Sequence, residues 1–434
     1  MPKTIIVVGS DDYNLRLIGA LPDMRDADIR PVLTWDDVQP PHGRIDFDEL
    51  YDRACDGIEA AGGKPDAIIG YLDFPVTPLV SLLCRDYDLP CATPEAVAMC
   101  EHKLWMRREQ KTVMPDRAPD ARAVNPFDPD RARRNRPKFP FWLKPVKGHS
   151  SVLGFLIRDE SDLDDALHAC RQKIHLIGEP FNQFLAHLNG DVAPDGIDGN
   201  HAVAEAIISA PRQFTIEGYV SDGEVVVYGT VDSVRTGAHK SSFSRFQYPA
   251  DLPEEVIEKA RAQAETFLHH IGYDNAPFNA EFFWDPDGDA LNFLEINPRI
   301  SKSHSPLFQM VDGASHHKVP LDLCQGRTPD MPHRKGKDRI AAKFMLRSFE
   351  ADGIVQRVPA PEEISALGNI LPDIAVNVHV KEGQQLSSLF YQDSYSFELA
   401  DIFLGGGSEE MVEDAFKRCV DSLHFHIKPM PPVL

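Results

Sequence analysis

The sequence predicts an α/β (α+β) protein, and three observations predict it. Residues 4–9 (TIIVVG) and 66–70 (DAIIG) are short apolar runs of strand length, each followed by turn or polar residues, the pattern of buried strands in an open α/β sheet. Between 203 and 231 three strand-like runs follow one another closely, broken by a turn at Ser221-Asp222-Gly223. Residues 278–297 then read as an antiparallel hairpin turning through Asp285-Pro286-Asp287-Gly288-Asp289.

Composition bounds the function. A chain of 434 residues has material for two or three domains with ample core. Its 45 Lys and Arg against 67 Asp and Glu give a formal charge of −22, which repels phosphate backbones and anionic lipid, so neither nucleic acid nor membrane is expected as a partner. The 7 cysteines are scattered without CxxC spacing, which argues against a disulfide framework or a zinc site and fits a reducing, cytoplasmic setting. No apolar run reaches the ~20 residues of a membrane span, and no signal-peptide pattern precedes the first strand.

Taken in order, the first strand ends in Gly9-Ser10-Asp11-Asp12 and the second is followed by Tyr71-Leu72-Asp73. Loops at such strand ends bind ligands in open α/β sheets, which makes Asp11, Asp12 and Asp73 substrate candidates, with a turn or helix-capping role as the alternative for each. The first strand carries no GxGxxG, so a dinucleotide fingerprint is absent. A charged helix is expected over about 95–110, containing Lys103, then a connector or irregular loop over 114–140. Residues 139–144 (FPFWLK) form a strand ending in Lys144, and 152–157 its partner. Between them, Lys147-Gly148-His149-Ser150-Ser151 has small residues whose amides can approach phosphate, with lysines to supply charge. Residues 203–208 (VAEAII) are a strand and possible hinge, where Glu205 and the backbone of Ile207 and Ile208 suit adenine.

The hairpin carries the most information. With its turn near Gly288, Glu281 falls opposite Glu295 and Asn279 opposite Asn297, and period-two alternation puts all four polar groups on one face, with Phe282, Leu294 and Ile296 on the other. Carboxylates that close repel unless a cation lies between them, and Mg2+ prefers one or two carboxylates plus substrate phosphates. An ordinary solvent-facing hairpin is the plain alternative. Arg299 and Lys302 follow, then Ser303-His304-Ser305-Pro306, where Ser305 is placed as an N-cap and Pro306 at the first helical position. Residues 235–246 (RTGAHKSSFSRF), with Arg235 and Arg245, form a polar loop, either one able to close over a substrate or a plain solvated loop. Beyond 338, residues 343–349 and 374–380 are strand-like, and Gly405-Gly406-Gly407-Ser408 leads into an amphipathic helix with Met411, Ala415, Phe416, Cys419 and Val420 on its apolar side.

As a set these motifs resemble the ATP-grasp superfamily, of the carboxylate-amine ligase type represented by L-amino-acid ligases and D-alanyl-D-alanine ligases. The resemblance implies an N-terminal pre-ATP-grasp domain over 1–100, an ATP-grasp domain over 101–330 with a small lid subdomain at about 135–205, and a C-terminal domain over 331–434. It implies ATP and Mg2+, with Mn2+ as a substitute, and an ADP-forming ligase that joins a small-molecule carboxylate to an amine, both of amino-acid type, in a chain that can form a homodimer. Lys103 and Lys144 match nucleotide-binding lysines, Ser150 and Ser151 the phosphate loop, and Glu205 the adenine hinge. Glu281, Glu295 and Asn297 match the metal ligands, Arg299 the catalytic arginine, and Ser303, His304 and Ser305 a substrate-binding stretch. Where many relatives hold ribose with a glutamate, this chain has Gln213, leaving Gln213 or Glu217 for that role. His149 departs from the small residue common in the loop. A biotin-carboxylase-like enzyme, a kinase-like enzyme and a non-catalytic ATP-binding regulator are the alternatives; the first is disfavoured by a loop poor in glycine.

Overall fold

A computed structural model of the chain describes residues 2–40, 43–148, 152–190, 196–208, 210–237, 242–349, 352–371, 374–389 and 392–430. At the N-terminus three parallel strands lie in the order Asp28–Thr34, Thr4–Ser10, Ala67–Ile69. Ile5, Ile6, Val7 and Val8 are all buried, because helices pack against both faces of a parallel sheet. The Asp11 side chain caps the Asp12–Gly19 helix by accepting from the Asn14 amide at 2.9 Å, so it serves the helix, as the alternative reading had it.

The helix expected over 95–110 is two helices, Pro94–Glu101 and Lys103–Val113. His102 between them is extended (φ −88°, ψ 98°), and its Nδ1 accepts from the Trp105 amide at 3.2 Å to cap the second helix. The break puts Lys103 at the first helical position. The stretch 114–140, expected as a connector, contains the strand Ala121–Val124 and the helix Pro129–Arg134. That strand joins a four-stranded antiparallel sheet in the order Ala121–Val124, Ala202–Ala206, Phe141–Pro145, Phe155–Ile157, called the lid sheet below after the subdomain expected at about 135–205. Phe141, Leu143, Leu163 and Leu167 give this sheet its own small core under the Glu160–Lys173 helix.

Eight antiparallel strands make the large sheet, in the order Ala290–Asn297, Ala276–Asp285, Arg212–Ser221, Glu224–Thr236, Ser242–Tyr248, Ile340–Ser348, Phe397–Gly406, Ala375–Val378. Phe282 stacks between Phe214 and Phe293, with ring centroids 5.5 and 5.2 Å apart, and the Glu254–His270 helix covers that face. Of the segment after 330, three strands extend this sheet, while Gly353–Arg357 and His426–Pro429 pair in a two-stranded sheet of their own. The helix expected after the glycines spans Glu409–Ser422, with Val412 and Cys419 buried, Ala415 and Phe416 half-buried against them, and Phe416 stacked on Phe344 at 4.0 Å. Met411 and Val420, expected inside, are exposed.

A chain cut after residue 330 would leave the Ser242–Tyr248 strand as an unpaired edge. Such a fragment is expected to aggregate or to melt well below the full chain. A soluble fragment with the full-length melting temperature would contradict the continuity of the sheet.

Candidate functional site

The two sheets face each other across a cavity of about 540 Å³. One wall is the hairpin, whose register pairs Asn279 with Asn297 and Glu281 with Glu295, as expected. A bulge beyond Glu281 pairs Phe282 with Phe293, leaving Leu294 as the extra residue and turning it into the cleft instead of onto the core face. Asn297 Nδ2 donates to Asn279 Oδ1 at 3.1 Å and toward Glu281 Oε1 at 3.4 Å, while Gln213 Nε2 donates to Glu281 Oε2 at 2.8 Å.

The two hairpin acids are not equivalent. Burial, followed by the neighbouring Glu295 charge, pushes the Glu281 carboxyl up to about 7. Burial also opposes the charge on Glu295, but Lys103 and Lys144 outweigh it and hold that group down at about 2. Lys103 Nζ lies 2.7 Å from Glu295 Oε2. A carboxylate and an uncomfortable second carboxyl, beside an amide side chain on one cleft wall, form an oxygen-donor set that fits a hard divalent cation.

The opposite wall carries Lys144 on the lid sheet, ion-paired with Glu205, whose other oxygen accepts from Arg107 Nε at 3.0 Å. Burial would raise Glu205, yet Lys144 and Arg107 hold it down at about 2. Glu205, expected at adenine, thus lines the cleft paired with two cations, and Ile207 and Ile208 line it as well. At the floor, Arg299 donates to Asp73 Oδ2 at 2.6 Å, and Asp73 also accepts from Lys147 Nζ at 2.8 Å. Lys147, expected at phosphate, is buried between Asp73 and Glu101.

Several expected residues sit elsewhere. Gln213 is not on the cleft lining: its amide holds Glu281 and accepts from Arg235. Glu217 is fully buried behind the wall, accepting from Asn279 Nδ2 at 2.8 Å and pairing with His304 Nδ1 at 2.6 Å, which removes it from any ribose. Ser303 and His304 line the cleft. Ser305 does not; it is the first residue of the Ser305–Asp312 helix, with His304 in the N-cap position, and its buried hydroxyl pairs with His316 Nε2 at 2.8 Å. Arg245 points away from the cleft to Glu413 and Glu409, at 2.7 and 2.8 Å, because its strand presents it to the C-terminal helix. Ser150 and Ser151 lie outside the described residues, as do His149 and the loop residues His239 and Lys240.

The sequence leaves open whether the C-terminal segment completes the site or forms a dimer surface, and it names no residue of the C-terminal wall. Lys343, Met345 and Arg347 all line the cleft from one strand, with Glu398 beside them. Their alternation is the period-two signal of a strand with one polar face, legible once residues 343–349 are taken as a strand. Lys343 Nζ lies 2.8 Å from Asp401 and 3.1 Å from Ser303 Oγ, and Arg347 pairs with Glu398 at 2.6 Å. Arg107 was likewise missed, since nothing in its own helix marks it as the partner of a strand 98 residues away.

Residues 137–306 match the family model of the ATP-grasp domain. The chain is 22% identical over 363 residues to the uncharacterised protein y4rH of Sinorhizobium fredii (strain NBRC 101917 / NGR234), covering 81% of this chain and 66% of that protein, just under two thirds of its length. Among solved structures it resembles the L-amino acid ligase from Bacillus licheniformis, with TM-score 0.72 and 16% identity over 99% of both chains. It also resembles the biotin carboxylase from Campylobacter jejuni, with TM-score 0.61 and 15% identity over 99% of this chain and 93% of that one. The fold is the ATP-grasp fold across nearly the whole chain.

Burial pushes Glu217 up to about 7 in the folded protein, against an ordinary 4.5. Between those values the unfolded chain gives up a proton that the folded chain keeps, so this group's contribution to stability falls as pH rises through the window. Glu217→Gln keeps an acceptor for Asn279 and His304 and removes the titration. In urea unfolding, the parent is expected to lose more stability than the variant between about pH 5 and about pH 8; equal losses would contradict the assignment.

Proposed function

Starting from an ATP-grasp domain over residues 137–306, we propose that this protein is an ATP-dependent carboxylate-amine ligase, forming an amide or peptide bond through an acyl phosphate and releasing ADP and phosphate. The observation that carries the reading is the set Glu281, Glu295 and Asn297 on one wall of a cleft, with Lys103, Lys144 and Arg299 around it. Six such groups suit a nucleotide triphosphate and a second anion better than an apolar ligand.

In this reading Glu281, Glu295 and Asn297 would hold Mg2+, which supplies positive charge to the β- and γ-phosphates when bound. Lys144, anchored by Glu205, neutralises the phosphates from the lid side. Burial lowers the Lys144 ammonium despite its carboxylate partner, so an incoming anion is a welcome second counter-charge. Lys103 plays the same part from the helix end, and Ile207 and Ile208 offer backbone and apolar surface to the base. Ser150 and Ser151 belong to the same proposal as phosphate-loop residues, with Mn2+ as a substitute metal.

The substrate carboxylate attacks the γ-phosphorus; its oxygen gains the phosphoryl group and ADP leaves. Arg299, oriented by Asp73, stabilises the charge on the acyl phosphate. An amine then adds to the acyl carbon, phosphate departs, and the amine's proton is lost to solvent or a nearby base. Ser303 and His304, on the same floor, face the substrates, which we take to be amino acids or close analogues. No enzyme nucleophile is needed; the chain positions reactants and neutralises charge.

ADP release from Mg-ATP with pooled carboxylates, with and without amines, tests the reading. ADP formed only with both partners is expected, whereas ADP with carboxylate alone would favour a kinase-like reaction. Glu295→Ala should lower ADP formation on the order of 100-fold with the fold retained, and unchanged turnover would remove the metal assignment. Lys144→Met should weaken Mg-ATP binding about tenfold, as read by calorimetry; unaltered affinity would count against the lid-lysine role.

A further inference from the structure

The lid sheet ends in the strand Phe155–Ile157, which among the described residues pairs on one side only, with Phe141–Pro145. An edge strand leaves backbone N–H groups pointing outward and in need of a partner. For Leu156 that partner is the Tyr395 hydroxyl, at 3.0 Å. Tyr395 does not belong to the lid. It sits in residues 392–396, just before the Phe397–Gly406 strand of the large sheet, and Gln392, Asp393, Ser394 and Tyr395 all line the cleft.

This short stretch is firmly held at its large-sheet end. Asp393 accepts from Arg347 at 2.8 Å and from Ser242 Oγ at 3.2 Å, while Ser396 Oγ reaches Asp393 at 2.6 Å and Ser242 Oγ at 3.0 Å. The Tyr395 amide closes back on Asp393 Oδ1 at 2.8 Å, fixing where its ring projects. The contact to Leu156 therefore joins a rigid point on one sheet to the free edge of the other across the cleft, and any outward swing of the lid edge must break it.

We propose that Tyr395 is a positioning residue that clasps the lid to the C-terminal segment and so sets how long a nucleotide stays in the cleft. The clasp ties lid closure to the wall carrying Lys343 and Arg347, the part of the cleft farthest in sequence from the lid. It rests on the nucleotide-binding reading above and adds to it a latch outside the lid itself.

Tyr395→Phe deletes the hydroxyl and keeps the ring. With Mg2+ and a fluorescent N-methylanthraniloyl ADP, stopped-flow dissociation from the full-length variant is expected to be about fivefold faster than from the parent, the effect of one net hydrogen bond, with an unchanged melting temperature. Leu156→Pro removes the same bond from its donor side at an edge position that tolerates proline. The double variant should release the probe no faster than the faster single variant, because both changes break one interaction. Parental release from Tyr395→Phe, additive rates in the double variant, or faster release accompanied by a lowered melting temperature would each overturn the clasp. A parent that binds no probe would instead remove the nucleotide reading, and the clasp with it.

Discussion

Two carboxyl groups set opposite each other on adjacent strands are the constraint around which this molecule is organised. Glu281 and Glu295 cannot both be comfortable as anions inside a cleft wall, and the surrounding structure divides the difficulty unequally. Lys103 and Lys144 secure Glu295 as a carboxylate, while Glu281 is left raised, held by Gln213 and Asn297. A divalent cation would resolve what the side chains leave open. In the proposed reading, that tension gives the cleft an affinity for a metal and its phosphates before either arrives.

The cationic groups are organised by the same logic. Lys144 and Arg107 share Glu205, and Lys147 and Arg299 share Asp73. Each shared carboxylate ties one cation of the cleft lining, Lys144 or Arg299, to a buried one, Arg107 or Lys147, which fixes the lining side chain in place. Through the buried Glu217, the cleft residues His304, Asn279, Asn297 and Glu281 are linked in one series of hydrogen bonds. Glu217, expected at ribose, is the interior member of that series, and Gln213 attaches to its Glu281 end.

What could be read from the sequence follows the range of the interactions. The hairpin was legible because turn residues and period-two alternation fix its register locally, and so were the buried strands of the N-terminal unit. The bulge that turns Leu294 into the cleft was not, since one extra residue leaves no compositional mark. Ala121–Val124 escaped because four residues carry too little periodicity, and its place was set by pairing with Ala202–Ala206. Gln213, Glu217 and Arg245 have site-like chemistry, and only the packed structure shows that other side chains occupy them. The continuation of the large sheet by the C-terminal strands is also a long-range pairing, which no local pattern announces.

The central claim is that the hairpin acids make nucleotide binding depend on a divalent cation. Calorimetric titration of the apoprotein with ATP in the presence of Mg2+, and again with a chelator, tests it directly. Binding at least about tenfold tighter with Mg2+ is the predicted result, since bare triphosphate would meet the carboxylates unshielded. Equal affinity with and without the metal would contradict the account.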